Sequence, residues 1–236
     1  MKKLSVKGAR VLAAVILLSM TICFGIFCFY KDRAVTIVSG ESYVPIYKGR
    51  EDKPCVALMF NVYENTEVVN KILDLLNEKQ VKATFFVGGC WADDNTPTVK
   101  RIVDDGHTIG NHGYFHKNHK KLSESQNFIE IKTCHDLVFN MTGVKMNLFA
   151  PPSGAFSKTT LIVVEKSGYR TVMWSKDTID WRDFDVNTII ERAKKVQNGD
   201  FVLMHPKAHT LKALPEIIDF YKEKGIAPVT VDACLK

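Results

Sequence analysis

Seven histidines occur in the chain, and two of them, His112 and His116, lie four residues apart in the segment Gly106–His119. Neutral imidazole is the commonest protein ligand for a metal ion. Two imidazoles on one side of a helical turn make half of a zinc site. The spacing predicts one such turn, and the glycines around it predict a backbone bent toward a cleft. Other residues suited to chemistry gather where predicted strands end. They are Asn61, the run Ala150-Pro151-Pro152-Ser153-Gly154, the run Asp177-Thr178-Ile179-Asp180-Trp181, and Leu203-Met204-His205-Pro206. Carboxylates beside a histidine suit proton transfer.

These residues must be positioned by alternating strands and helices. Cys55–Phe60 is a continuous apolar run and reads as a buried strand. A helix capped by Asn65 or Thr66 follows, then strand 82–87, a helix closed by Gly106 and a very short strand at Thr108-Ile109. Ser123 caps a long helix to about Asn140. A strand at 147–150 stops at the proline pair, and Ser157–Lys166 is a helix. Strand 169–174, helix 186–196, strand Phe201–Met204, a helix from His209 or Thr210 and a final strand 228–231 complete the pattern. Such alternation predicts a parallel sheet covered by helices. Some seven units in about 200 residues predict a closed or nearly closed α/β barrel, whose chemistry sits at the C-terminal ends of the strands. No Gly-x-Gly-x-x-Gly follows the first strand, which argues against a dinucleotide fold.

The first ten residues hold Lys2, Lys3, Lys7 and Arg10 and no acid, and residues 11–30 carry no charge. Twenty such residues span about 30 Å as a helix, one hydrocarbon core. The basic flank places the N-terminus in the cytoplasm. The end of the span, Phe27-Cys28-Phe29-Tyr30, lacks the small residues of a cleavage site, so an uncleaved anchor with an extracytoplasmic domain is expected. The organisation reads as tail and anchor 1–30, a linker 31–54 with a short hairpin at Ala34–Val38, and a barrel domain 55–236. Outside the first ten residues, 28 basic and 26 acidic side chains nearly cancel, which gives no reason to invoke nucleic acid. The six cysteines lack zinc-ribbon spacing, and those of the domain read as buried free thiols. His119 and His209 read as solvated surface groups, His107 and His135 as structural, Trp174 as core, and Asn111 as a turn residue.

Five of these blocks, in order over residues 55–234, resemble the polysaccharide deacetylases with a NodB-homology domain, carbohydrate esterase family 4, and most of all its anchored, sporulation-type branch. Cys55–Asn61 is similar to the first-strand block, Gly106–His116 to the His-x-x-x-His block, Phe149–Ala155 to the Arg-Pro-Pro-x-Gly block, Asp177–Trp181 to the Asp-x-x-Asp-Trp block, and Leu203–Pro206 to the Leu-x-His block. The resemblance implies a distorted (β/α)7–8 barrel that removes acetyl groups from N-acetylated glycans such as peptidoglycan or chitin-like chains. It implies a divalent metal, zinc foremost, on His112 and His116. It makes His205 the proton donor and Asp180 the acid that orients it. Trp181 and Leu203 become acetyl-pocket walls, with Asn61 and Pro152 beside them.

Three departures stand out. The family's first block ends in an Asp pair, but here the base position is Asn61 and the metal-carboxylate position is Val62. The arginine of the third block is Ala150. An amide does not accept a proton at neutral pH. Losing the arginine together with its acid leaves no uncompensated charge, so the changes read as one rebuilt rim. In one reading catalysis continues, with Asp177 or Asp180 as base and water, Asn61 or Glu64 as third ligand. In the other the pocket holds glycan without hydrolysing it. The retained His112, His116, Asp180, Trp181 and His205 favour the first. The absent base favours the second.

Overall fold

A computed structural model describes residues 43–236. The anticipated membrane span and the hairpin at Ala34–Val38 lie outside the described residues.

Strand β1 (Cys55–Val62) is the central strand, and all eight of its residues are buried. It pairs in parallel with β7 (Phe201–Met204) on one side, and with β2 (Thr84–Val87) and β8 (Ala227–Val229) on the other. The remaining strands are β3 (Thr108–Asn111), β4 (Leu148–Phe149), β5 (Arg170–Thr171) and β6 (Lys176–Asp177). The sheet runs β5-β4-β3-β2-β1-β7-β6, with every pairing between these strands parallel. It curls into a distorted barrel of the α/β class whose ends, β5 and β6, are not paired with each other. Residues 43–54 are no free linker. Ile46 pairs with Val172 beyond β5, and Lys48 pairs with Asp200 at the start of β7.

Period-two alternation sorts β1 onto two faces. Val56, Leu58, Phe60 and Val62 belong to the large core under the helices. Cys55, Ala57 and Met59 belong to the smaller core inside the sheet. Asn61 continues the inner set and so reaches the rim.

The outer layer is α1 (Thr66–Glu78), α2 (Gly89–Asp94), α3 (Thr96–Asp104), α4 (Glu124–Thr142), α5 (Lys158–Lys166), α6 (Val186–Lys194) and α7 (Ala208–Glu223), while the short α8 (Val231–Leu235) sets Val231 and Cys234 into the inner core. Ser123, the anticipated cap of α4, and Ser157 ahead of α5 each form a capping box, which satisfies two otherwise orphaned backbone groups. Helices α2 and α8 had no periodic signal. Each is six residues or shorter.

Candidate active site

The C-terminal ends of the strands surround one pocket of about 460 Å³, lined by Asn61, Tyr63, Glu64, His112, His116, Ser153, Trp174, Asp177, Trp181, Leu203, His205, Pro206 and Lys207. Its rim is unusually shaped. Asn65, His116, Ser153 and Ile179 all have left-handed backbone, with φ between 53° and 58°. Non-glycine residues rarely adopt that conformation, and a β-branched isoleucine least of all. Strain of this kind collects at functional sites.

His112 and His116 do lie side by side, with ring centroids 5.1 Å apart. The predicted helical turn is not what brings them together. Residues 112–118 form an irregular loop, shaped from within. Asn111 Oδ1 accepts from the Gly113 N–H at 2.8 Å, the turn role expected of it. The buried Glu130 on α4 accepts from the N–H groups of Tyr114 and Phe115 at 3.0 and 2.7 Å. Lys117 pairs with its other oxygen at 2.8 Å. Gly113 has φ 72°, and a Cβ there would stand 2.9 Å from His119 Nε2, so glycine is required twice over.

The ring of His112 is buried, and its Nδ1 lies 2.7 Å from the Ala150 carbonyl oxygen. A carbonyl only accepts, so Nδ1 carries the proton and Nε2 keeps a lone pair. Burial, reinforced by the neighbouring His116, pushes His112 down to about 3. Burial lowers His116 as well. Both rings are therefore neutral at neutral pH, the form that binds metals. Tyr63 packs on His116 with ring centroids 4.9 Å apart.

Across the pocket His205 Nδ1 lies 2.7 Å from Asp180 Oδ1. Asp180 is fully buried. Its Oδ2 accepts from the His205 N–H and the Thr210 hydroxyl at 2.7 and 2.6 Å. The pairing fixes the His205 tautomer and leaves Nε2 free for chemistry. Trp174, Trp181 and Leu203 supply apolar wall.

Several expectations need correction. Pro152 is buried beside the Gly113 position, and Ser153 takes its place on the lining. Trp174 packs against the inner core, as expected, and also lines the pocket. His119 is fully buried, its Nδ1 bonded to Asn127 Oδ1 at 2.8 Å. His209 bonds the Asp180 carbonyl at 2.7 Å. Tyr63 and Lys207 gave no signal in the sequence, because an aromatic and a lysine carry no motif by themselves.

The rebuilt positions are legible in space. Val62 is fully buried in the helix-side core. Ala150 belongs to the inner core. Asn61 Oδ1 is buried without a partner. The two carboxylates nearest to hand are both engaged. Glu64 pairs with Lys207, and Asp177 Oδ1 accepts from the Ile179 N–H at 2.8 Å. Among the described residues no three histidine, cysteine or acidic side chains form a metal-binding group. The donors that fit a cation are the two neutral imidazoles and the orphaned amide oxygen of Asn61, a set with no negative charge.

Comparison with known proteins decides the family. Residues 48–172 match the polysaccharide deacetylase family. The chain belongs to it. The Bacillus subtilis protein YlxY is 40% identical to this polysaccharide deacetylase homologue over 188 residues, which are 79% of this chain, and the chain spans only 59% of YlxY. A peptidoglycan-N-acetylglucosamine deacetylase of Bacillus cereus is 34% identical over 197 residues, covering 81% of this chain and 72% of the relative. Among solved structures, BA3943, a CE4 family pseudoenzyme from Bacillus anthracis, superposes with a TM-score of 0.80 at 35% identity, over 83% of this chain and 70% of that one. A BA3943 mutant with restored enzymatic activity gives the same TM-score at 34% identity.

Proposed function

We propose that the domain lies outside the cytoplasmic membrane on an anchor at residues 11–30. There it receives an N-acetylated amino-sugar strand of the cell wall, with the acetamido group seated in the pocket between the histidine pair and His205. The observation that carries this reading is the pocket itself. Two neutral imidazoles share one pocket with a histidine held by a buried aspartate, and Trp174, Trp181 and Leu203 give it an apolar side. The Bacillus cereus relative named above, a peptidoglycan-N-acetylglucosamine deacetylase, supports the substrate class.

The chain's own groups do the following. Trp181 and Leu203 shelter the methyl group from water. His205, oriented by Asp180, carries a proton on Nε2 when charged and delivers it to the departing amine. His112 and His116 would hold a divalent cation, zinc foremost, with Asn61 Oδ1 as the neutral third donor. When bound, such an ion supplies Lewis-acid polarisation of the acetamide carbonyl and a water of lowered pKa. The base position of the family is Asn61, which takes no proton, and of the carboxylates on the lining Glu64 is paired with Lys207 while Asp177 holds the Ile179 N–H with one oxygen. Absence of a general base removes about 10²–10⁴-fold of rate. Glycan retention with strongly reduced hydrolysis is the expected outcome, and the BA3943 pseudoenzyme is a structural neighbour consistent with it.

The test measures three quantities on one sample of purified protein: bound metal, affinity for N-acetylglucosamine oligomers and peptidoglycan fragments, and acetate release. Binding that Trp181→Ala abolishes, with acetate release far below a family deacetylase assayed in parallel, supports the reading. No glycan binding overturns it. Release at the rate of that deacetylase, lost in His116→Ala, would instead establish a full hydrolase. The intact Asp180–His205 pair favours that second reading.

A further inference from the structure

At the opposite end of the barrel from the pocket, two cysteines separated by 179 residues meet. Cys55 opens β1 and Cys234 lies in α8, and their sulfurs are 3.1 Å apart. Both are buried, Cys55 with 7% of its surface exposed and Cys234 with none. The chain around them is drawn in tightly. The Gly199 N–H donates to the Cys55 carbonyl at 2.7 Å, the Gly49 N–H to the Gly199 carbonyl at 2.7 Å, and the Arg50 N–H to the Cys234 carbonyl at 2.9 Å. A Cβ at Gly49 would stand 2.7 Å from Cys234 Sγ and 2.3 Å from its carbonyl oxygen. Only glycine lets that segment pass so close. The Arg50 guanidinium also bonds the Lys236 carbonyl oxygen at 2.9 Å. Four segments, at residues 49–50, 55, 199 and 234–236, thus converge on one sulfur pair. The other two described cysteines do not share it. Cys134 Sγ donates to the Val87 carbonyl at 3.4 Å, and Cys90 lies half-buried at the pocket end of the sheet, in α2.

We infer that Cys55 and Cys234 form a disulfide in the mature protein, stapling the C-terminal helix to the central strand beside the point where the chain enters the domain. The sulfurs need to close by about 1 Å to reach a bond of roughly 2.05 Å. The chemistry is thiol–disulfide exchange with an external disulfide of the glutathione or oxidoreductase class. The Cys55 thiolate attacks one sulfur of that disulfide and expels the other as a thiolate. Cys234, giving up its proton, then attacks Cys55 Sγ in the mixed disulfide and expels the second thiolate. Two protein thiols are oxidised, one disulfide is reduced to two thiols, and the protons end on those thiols. Burial pushes the Cys234 thiol well above its ordinary value, which gives the first attack to the more accessible Cys55. The staple is independent of what the pocket binds.

The experiment uses the full chain in detergent, purified under reductant and then equilibrated with oxidised and reduced glutathione. It is denatured under acid quench, alkylated and mapped by mass spectrometry without reduction. A peptide pair joining Cys55 to Cys234, two hydrogens lighter than the sum of its parts, is expected. The oxidised chain is expected to melt roughly 5–15 °C above the reduced one, and Cys55→Ser is expected to abolish the difference. Alkylation of both Cys55 and Cys234 in the oxidised folded chain overturns the inference. So does a link from either of them to Cys23, Cys28, Cys90 or Cys134. The mapping on the unsubstituted chain stands even if the serine variant fails to fold.

Discussion

His205 and Asp180 are joined twice: the carboxylate accepts from the ring Nδ1–H and from the backbone N–H of the same histidine, each at 2.7 Å. With the Thr210 hydroxyl as a third donor, the buried charge of Asp180 is answered entirely by donors. Asp180→Asn replaces one acceptor oxygen by a donor in that site. A stability loss of about 1–3 kcal/mol is expected, read as a lower urea midpoint. An unchanged midpoint would show that the aspartate does not anchor the β7 rim.

Two changes together should supply the missing base and its partner. Asn61→Asp and Ala150→Arg in one chain are expected to raise acetate release by at least about 10²-fold. Ala150→Arg alone should not raise it. It places an unpaired guanidinium where a fully buried alanine packs, at a cost of roughly 3–5 kcal/mol, visible as a lower melting temperature. Equal rates in the double variant and the parent would show that the missing base does not limit acetate release.

Glu64 is tied to Lys207, yet its charge is felt at His116. Lys207→Met frees the carboxylate at the pocket wall. Zinc affinity measured by competition with a chromogenic chelator is expected to rise several-fold, since an anionic oxygen joins a neutral donor set. Affinity equal to that of the parent would mean that Glu64 does not reach the histidine pair.

Acid should weaken the fold through His107. Burial pushes this ring down to about 4, from an ordinary value of 6.5. Its Nδ1 accepts from the Ala83 N–H at 3.2 Å, so a proton there would break that bond. Between pH 6.5 and 4 the unfolded chain takes up a proton that the folded chain refuses. The contribution is therefore complete above pH 6.5 and is lost on acidification through that window, about 3 kcal/mol in all. His107→Gln is expected to flatten the pH dependence of unfolding across it. A parallel curve for the variant would assign the acid sensitivity to other groups.

Much of this molecule was readable in its residues because the signals were periodic. The unbroken apolar run at β1, the capping Ser123 and the polar strand ends set the barrel and its rim. The site residues His112, His116, Asn61, Asp177, Trp181, Leu203 and His205 do line one pocket, with Asp180 directly behind. What periodicity could not carry was geometry produced by distant contacts. The histidine loop looks helical by spacing, yet Glu130 on α4 dictates its path. His119 looks solvated in a lysine-rich stretch, yet it is drawn inside by Asn127. Glu64 looks available as a ligand until Lys207, 143 residues away, is seen holding it.

The anchoring of the histidine loop on Glu130 has a last implication. The two rings owe their placement to the protein interior, to Glu130 beneath the loop and to the Ala150 carbonyl beside His112. Changes of side chain at positions 61, 62 and 150 therefore leave the supports of the histidine pair in place.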